Sequence, residues 1–298
     1  MIRRVLLLFL LALLLMGQTV APSSYQGGYA RTPHESLHPE YWQGLVAAWI
    51  PQLGVTGLGL RDVSGRSNHG TLTDMTPASD WVQGDLARAP GWVLDYDGSN
   101  DYVRIGQHAS LRPATITVIA WVKPSASPGA WAVVVNHPYR TTGWTDPFVS
   151  WQITRNSTNG YTTFAGSTGG ALFQTDDTGG TEWSSQTWFQ AALVYDGETA
   201  FGYINGVQTS SDATPTGALS YDGSTPDVSI GQRSPHSVGD FLSGQIGPIL
   251  VYNRPLSPAQ IYKLYTDPLA PFREQSEVFA FVPQAGGAAL SPMFFLLR

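Results

Sequence analysis

The chain has no cysteine, so disulfides contribute nothing to its stability and thiol nucleophiles are excluded. Charge is scarce, with Asp, Glu, Lys and Arg making up 13% of its 298 residues. Its six glutamates are Glu35, Glu40, Glu182, Glu198, Glu274 and Glu277, too few to support long helices. No basic run occurs and the net charge is −6, which disfavours nucleic acid as a partner. The six histidines never form His-Glu-x-x-His, so zinc chemistry lacks a ligand set. The Gly-x-Ser-x-Gly elbow of serine hydrolases is also missing. Gly54-Val55-Thr56-Gly57-Leu58-Gly59 has the glycines of a phosphate loop, but no helical pattern follows it.

What is abundant is turn and strand chemistry: 32 glycines and 21 prolines, with 12% aromatics. Arg3 and Arg4, the apolar run Val5–Met16 and small residues up to Ala21 read as a secretory signal over 1–21. The run is too short to span a bilayer comfortably. This predicts a secreted, extracellular or cell-surface protein with no membrane span in its mature chain. Residues 22–43 are rich in Pro, Ser, Gly and Tyr and read as a linker. A single domain is expected over 44–268, and the pattern dissolves in a tail over 269–298.

Within the domain, Leu45–Ile50, Thr115–Val122 and Gln245–Tyr252 read as strands. Phe189–Tyr195 and Ala200–Ile204 flank an Asp-Gly turn, and Asn205-Gly206 turns the chain again, both strong hairpin signals. Thr115–Val122 is apolar on both faces, which predicts a strand covered on both sides. One short helix is expected after Ser257, with Pro258 at its first position and Gln260 completing a capping box. Asp267-Pro268 stops it. Many short strands and one terminal helix predict an all-β, two-sheet antiparallel sandwich.

Six segments occur in order. They are Asp62–Gly70, Leu94–Ile105, Ala120-Trp121-Val122-Lys123-Pro124, Val194–Glu198, Tyr203-Ile204-Asn205-Gly206 and Val251–Ser257. Together they resemble the laminin-G-like jelly rolls of the concanavalin A-like lectin and glucanase superfamily, over roughly residues 44–268. The resemblance implies a jelly-roll sandwich that binds carbohydrate or, in the glucanases, cleaves it. The glucanases carry Glu-x-Asp-x-Glu, supplying the two carboxylates that glycoside hydrolysis needs. This chain has no such motif, so a non-catalytic module is expected and a polysaccharide hydrolase or lyase is the lesser alternative. Many laminin-G-like domains hold calcium at the sandwich rim. That makes Asp62, and second Asn100 with Asp101, the candidate ligands for a structural Ca2+; no cofactor is required. Relatives often read Gly-x-Ile-Asp-Glu-Val where this chain has Gly244-Gln245-Ile246-Gly247-Pro248-Ile249, so an acidic pair is missing.

A sugar site needs an aromatic platform for the C–H faces of the ring and planar polar groups for its hydroxyls. The segment Ser125–Trp151 has that make-up. Pro138, Gly143 and Pro147 mark a loop, which makes Tyr139 and Trp144 the candidate platforms, with Asn136, Arg140 and Asp146 as hydrogen-bonding partners. Trp121, Trp151 and Trp188 fall in strand patterns and are expected in the core. The expected partner is a glycan or cell-surface polysaccharide. The alternative is an adhesion or structural role among envelope or virion proteins.

Overall fold

The structure, a computed structural model, describes residues 28–140, 146–156, 160, 162–178, 180–224, 226–233, 240–275, 278–281 and 294–297. The proposed signal over 1–21 and Trp144 lie outside these residues. No helix among the described residues is long and apolar enough to cross a membrane.

Eighteen strands are described. In chain order they are β1 (Leu45–Trp49), β2 (Gly59–Leu60), β3 (Gly70–Thr73), β4 (Trp81–Gly84), β5 (Gly91–Asp97), β6 (Tyr102–Ile105), β7 (Ile116–Pro124), β8 (Val133–Pro138) and β9 (Val149–Arg155). There follow β10 (Thr162–Thr168), β11 (Ala171–Asp176), β12 (Phe189–Tyr195), β13 (Ala200–Ile204), β14 (Val207–Asp212), β15 (Val228–Ile230), β16 (Ser243–Tyr252), β17 (Val278–Phe281) and β18 (Phe294–Leu297). The first sheet runs β14-β13-β12-β7-β16-β5-β4, with β1 also paired to β16. The second runs β11-β10-β9-β8-β15-β6-β3-β2, and β17 and β18 pair with each other. The pairings are antiparallel throughout, as expected for the sandwich.

Alternation along the strands builds the core between the sheets. Val118, Ala120 and Val122 of β7 face Trp151, Ile153 and Phe164 of the second sheet. The other face of β7 presents Ile119 and Trp121 outward, where a second apolar cluster covers them. The helix Pro258–Thr266 supplies Ile261 and Leu264 to that cluster. Its capping box is present: Gln260 N–H donates to Ser257 Oγ at 3.3 Å, and Ser257 N–H to Gln260 Oε1 at 3.1 Å. Thus β7 is buried on both sides, as its sequence implied.

One expectation changes. The segments read as linker and tail meet and join the domain. Ala30 N–H donates to Phe272 O at 3.0 Å, Leu37 N–H to Arg273 O at 2.8 Å and Gln275 N–H to Glu35 O at 2.9 Å. Tyr41, Leu269 and Phe272 then bury against the outer face of the first sheet. Sequence patterning misses this because the pairing is long-range and the strands are only bridge-length. Leu94–Ile105 is a crossover between sheets: β5 belongs to the first sheet and β6 to the second. Gly98 makes that turn at φ +79°, and a Cβ there would sit 2.7 Å from Ser243 Cβ, so glycine is needed on both counts.

Candidate functional site

The second sheet carries a polar outer face. On β9, Trp151 and Ile153 enter the core while Ser150, Gln152 and Thr154 take the opposite face. On β8, Val135 enters the core and Asn136 points outward. Asn136 lies directly across from Gln152 on one side and Ser229 of β15 on the other. All three are buried, at 0%, 2% and 0% exposure. Ser229 Oγ lies 2.6 Å from both Asn136 Oδ1 and Gln232 O. A hydroxyl has one proton, so it donates to only one of them. Asn136 Nδ2 and Gln152 Oε1 have no hydrogen-bond partner among the described residues. Buried polar atoms are normally paired, so two amides on adjacent strands, each with one unpaired atom, mark a place where a ligand or water is wanted. An amide offers donors on one side and an acceptor on the other, which suits hydroxyls that do both.

Aromatic and charged groups border this row. The Arg233 guanidinium lies 5.9 Å from the Trp131 ring centre and 5.4 Å from that of Phe148. Asp240 pairs with it at 3.2 Å. Arg140 lies 5.2 Å from the Tyr139 ring centre and 4.0 Å from Asp222 Oδ2. Tyr139 is half-buried, its N–H donating to Phe148 O at 3.1 Å and its carbonyl accepting from Asp222 N–H at 3.3 Å. Asp146 is exposed, beside a cis bond to Pro147. His137, between Asn136 and Pro138, turns inward. Its ring centre lies 5.1 Å from that of Tyr221, and burial drops its pKa to about 4, so it stays neutral at physiological pH.

Of the candidates from sequence, Asn136 therefore lies at the centre of this face, Tyr139 and Arg140 pack together beyond the end of β8, and Asp146 is exposed in the following loop. Gln152, Ser229 and Arg233 were missed. Gln152 had a signal: Ser150, Gln152 and Thr154 alternate with Trp151 and Ile153, which puts polar groups on one face of a strand. Trp188, expected in the core, is half-buried, and its indole N–H donates to Asp85 Oδ1 at 2.7 Å.

Of the calcium candidates, Asp62 has its carboxylate engaged by the fold. Asp62 Oδ1 accepts from Ala48 N–H and Ser64 N–H, both at 2.9 Å. Its Oδ2 accepts from Ser64 Oγ at 2.9 Å and Asn68 N–H at 2.8 Å. Four donors saturate a carboxylate that calcium would need open. Asp101 Oδ2 accepts from Asp97 N–H at 2.9 Å, and Asp97 Oδ1 from the amides of Ser99 and Asn100. No group of three His, Asp or Glu placed to hold a metal occurs among the described residues. Glu182 lies near Asp177. Burial, and then the Asp177 charge and hydrogen bond, raise the Glu182 pKa.

Two antiparallel eight-stranded sheets with a polar outer face define a lectin-like β-sandwich. The chain belongs to the concanavalin A-like lectin/glucanases superfamily, whose laminin-G family model matches residues 97–262. Among curated proteins, none matches the chain. Solved structures share the fold at low identity. Domain 4 of AbnA, a GH43 extracellular arabinanase from Geobacillus stearothermophilus in complex with arabinotriose, superposes with TM-score 0.55 and 19% identity, covering 74% of this chain and 98% of that domain. The binding domain of Paraclostridial Mosquitocidal Protein 1 gives 0.52 and 15%, covering 74% and 52%. The binding domain of Botulinum Neurotoxin DC, in complex with SialylT, gives 0.51 and 12%, covering 80% and 54%. The chain thus spans nearly all of the arabinanase domain but about half of each toxin domain.

Proposed function

We propose that this protein is a secreted, non-catalytic glycan-binding module whose sugar docks on the outer face of the second sheet. The observation that carries this is the pair Asn136 and Gln152, buried, opposite each other and each with an unpaired polar atom. Sugar hydroxyls both donate and accept, so they satisfy the row without regard to which way each amide is turned. Trp131, Phe148 and Tyr139 supply apolar surface for the ring's C–H faces. The arabinotriose complex of a domain with the same fold supports the ligand class. The missing Glu-x-Asp-x-Glu supports binding without bond cleavage. The Asp62 geometry supports function without calcium. A glycan array with wild type and Gln152→Leu tests this reading: wild type binds a defined glycan class and the variant does not.

A further inference from the structure

The outer face of the first sheet is mostly covered, but one stretch of it forms the floor of a cleft of about 360 Å³, a size suited to a small ligand. The cleft lies between the loop Asp85–Arg88, the start of β12 and Tyr265 of the helix. Its floor is Trp121 and Gln190, cross-strand partners on β7 and β12. They are 1% and 0% exposed, and neither Trp121 Nε1 nor either end of the Gln190 amide has a partner among the described residues. The Gln190 backbone is fixed: its N–H donates to Asn205 Oδ1 and its carbonyl accepts from Asn205 N–H, both at 2.9 Å. An indole donor and a whole amide unpaired side by side are rare in a folded protein.

The walls are fixed as well. Lys123 Nζ lies 2.9 and 2.7 Å from the two Asp85 oxygens, and Trp188 Nε1–H donates to Asp85 Oδ1. Beneath Trp188 lies Gly247, where a Cβ would meet Trp188 Cζ3 and Leu86 Cδ2 at 3.4 Å, so a longer side chain would crowd the indole. At the mouth, the Arg88 guanidinium stacks 4.3 Å from the Tyr265 ring centre and donates to its hydroxyl at 3.2 Å. Arg88 pairs with no carboxylate among the described residues. Asp85 and Lys123 cancel, which leaves the cleft one positive charge.

We infer that this cleft is a second binding site, for one sugar-acid residue: a polyhydroxylated ring bearing a single carboxylate. Hydroxyls bond Gln190 and Trp121 on the floor, the carboxylate pairs with Arg88, and Trp188 and Tyr265 take the apolar ring edge. The site lies on the opposite sheet from Asn136 and Gln152, so it stands or falls independently of the glycan reading.

Calorimetric titration of the full chain with D-glucuronate, and in parallel with D-glucose and lactate, tests it. Glucuronate is expected to bind with one-to-one saturation, and glucose and lactate at least about tenfold more weakly. Arg88→Ala should cost glucuronate about tenfold, and Gln190→Leu should abolish binding. Gln190→Leu should also keep or raise the melting temperature, since it replaces an unbonded amide by an apolar group of similar size. Gln152→Leu should leave glucuronate binding unchanged. No saturable glucuronate binding, or binding that survives both Arg88→Ala and Gln190→Leu, overturns the inference. So does a Gln190→Leu variant that melts well below wild type, because the amide would then be satisfied within the fold.

Discussion

Asp62 holds Asn68 in place: the Asn68 N–H donates to Asp62 Oδ2 at 2.8 Å, and the same carboxylate receives the N–H groups of Ala48 and Ser64. Asn68 passes the constraint on, donating from Nδ2 to Val46 O at 2.6 Å and to Ser110 Oγ at 3.0 Å. A buried carboxylate thereby fastens the Asp62–Gly70 loop to β1 and to the segment before β7.

Asp62→Ala should therefore destabilise the fold by about 3–5 kcal/mol, because it leaves several buried donors without an acceptor. Denaturant unfolding at neutral pH measures this. Adding calcium to chelator-treated wild type should leave its melting temperature unchanged. A rise on adding calcium would show that the ion competes successfully for these oxygens.

Asp101 predicts a pH dependence. Its carboxyl is buried, and burial, with lesser repulsion from Asp97, Asp80 and Asp95, outweighs the Asp97 N–H bond and raises its pKa to about 6. The unfolded value is about 4. The folded state holds this proton more tightly, so the contribution of Asp101 to stability falls as pH rises from about 4 to about 6 and stays low above that. Asp101→Asn keeps an acceptor for Asp97 N–H and removes the charge. It should melt higher than wild type at pH 7.5 and nearly equal to it at pH 4. Equal melting at both values would contradict the assignment.

Gly98→Ala should destabilise by about 1–3 kcal/mol, since the turn needs positive φ and a Cβ there would collide with Ser243. The crossover it forms carries the chain from one sheet to the other, so the loss should appear as global unfolding. Thermal melts of Gly98→Ala and Gly98→Asn separate the two causes: Asn tolerates positive φ better but still collides.

Much of the fold was legible because local chemistry decided it. Phe189–Tyr195 and Ala200–Ile204 alternate around an Asp-Gly turn and form the strands expected. Ser257, Pro258 and Gln260 spell a capped helix, and one is there. The candidate site was less legible because it depends on register between distant strands. Asn136 was found through its aromatic neighbours, but nothing local says that Gln152 stands opposite it. Trp188 sits in a strand-like run, yet Asp85, 103 residues away, fixes its indole at the surface. The joining of residues around Ala30 to Phe272 likewise has no local signature.

Glycan binding on the outer face of the second sheet is tested by a glycan array probed with wild type and Gln152→Leu, alongside their melting temperatures. Wild type is expected to bind a defined glycan class. Gln152→Leu should lose at least about tenfold in affinity while its stability stays within about 1 kcal/mol of wild type. No glycan binding by wild type, or undiminished binding by the variant, would contradict it.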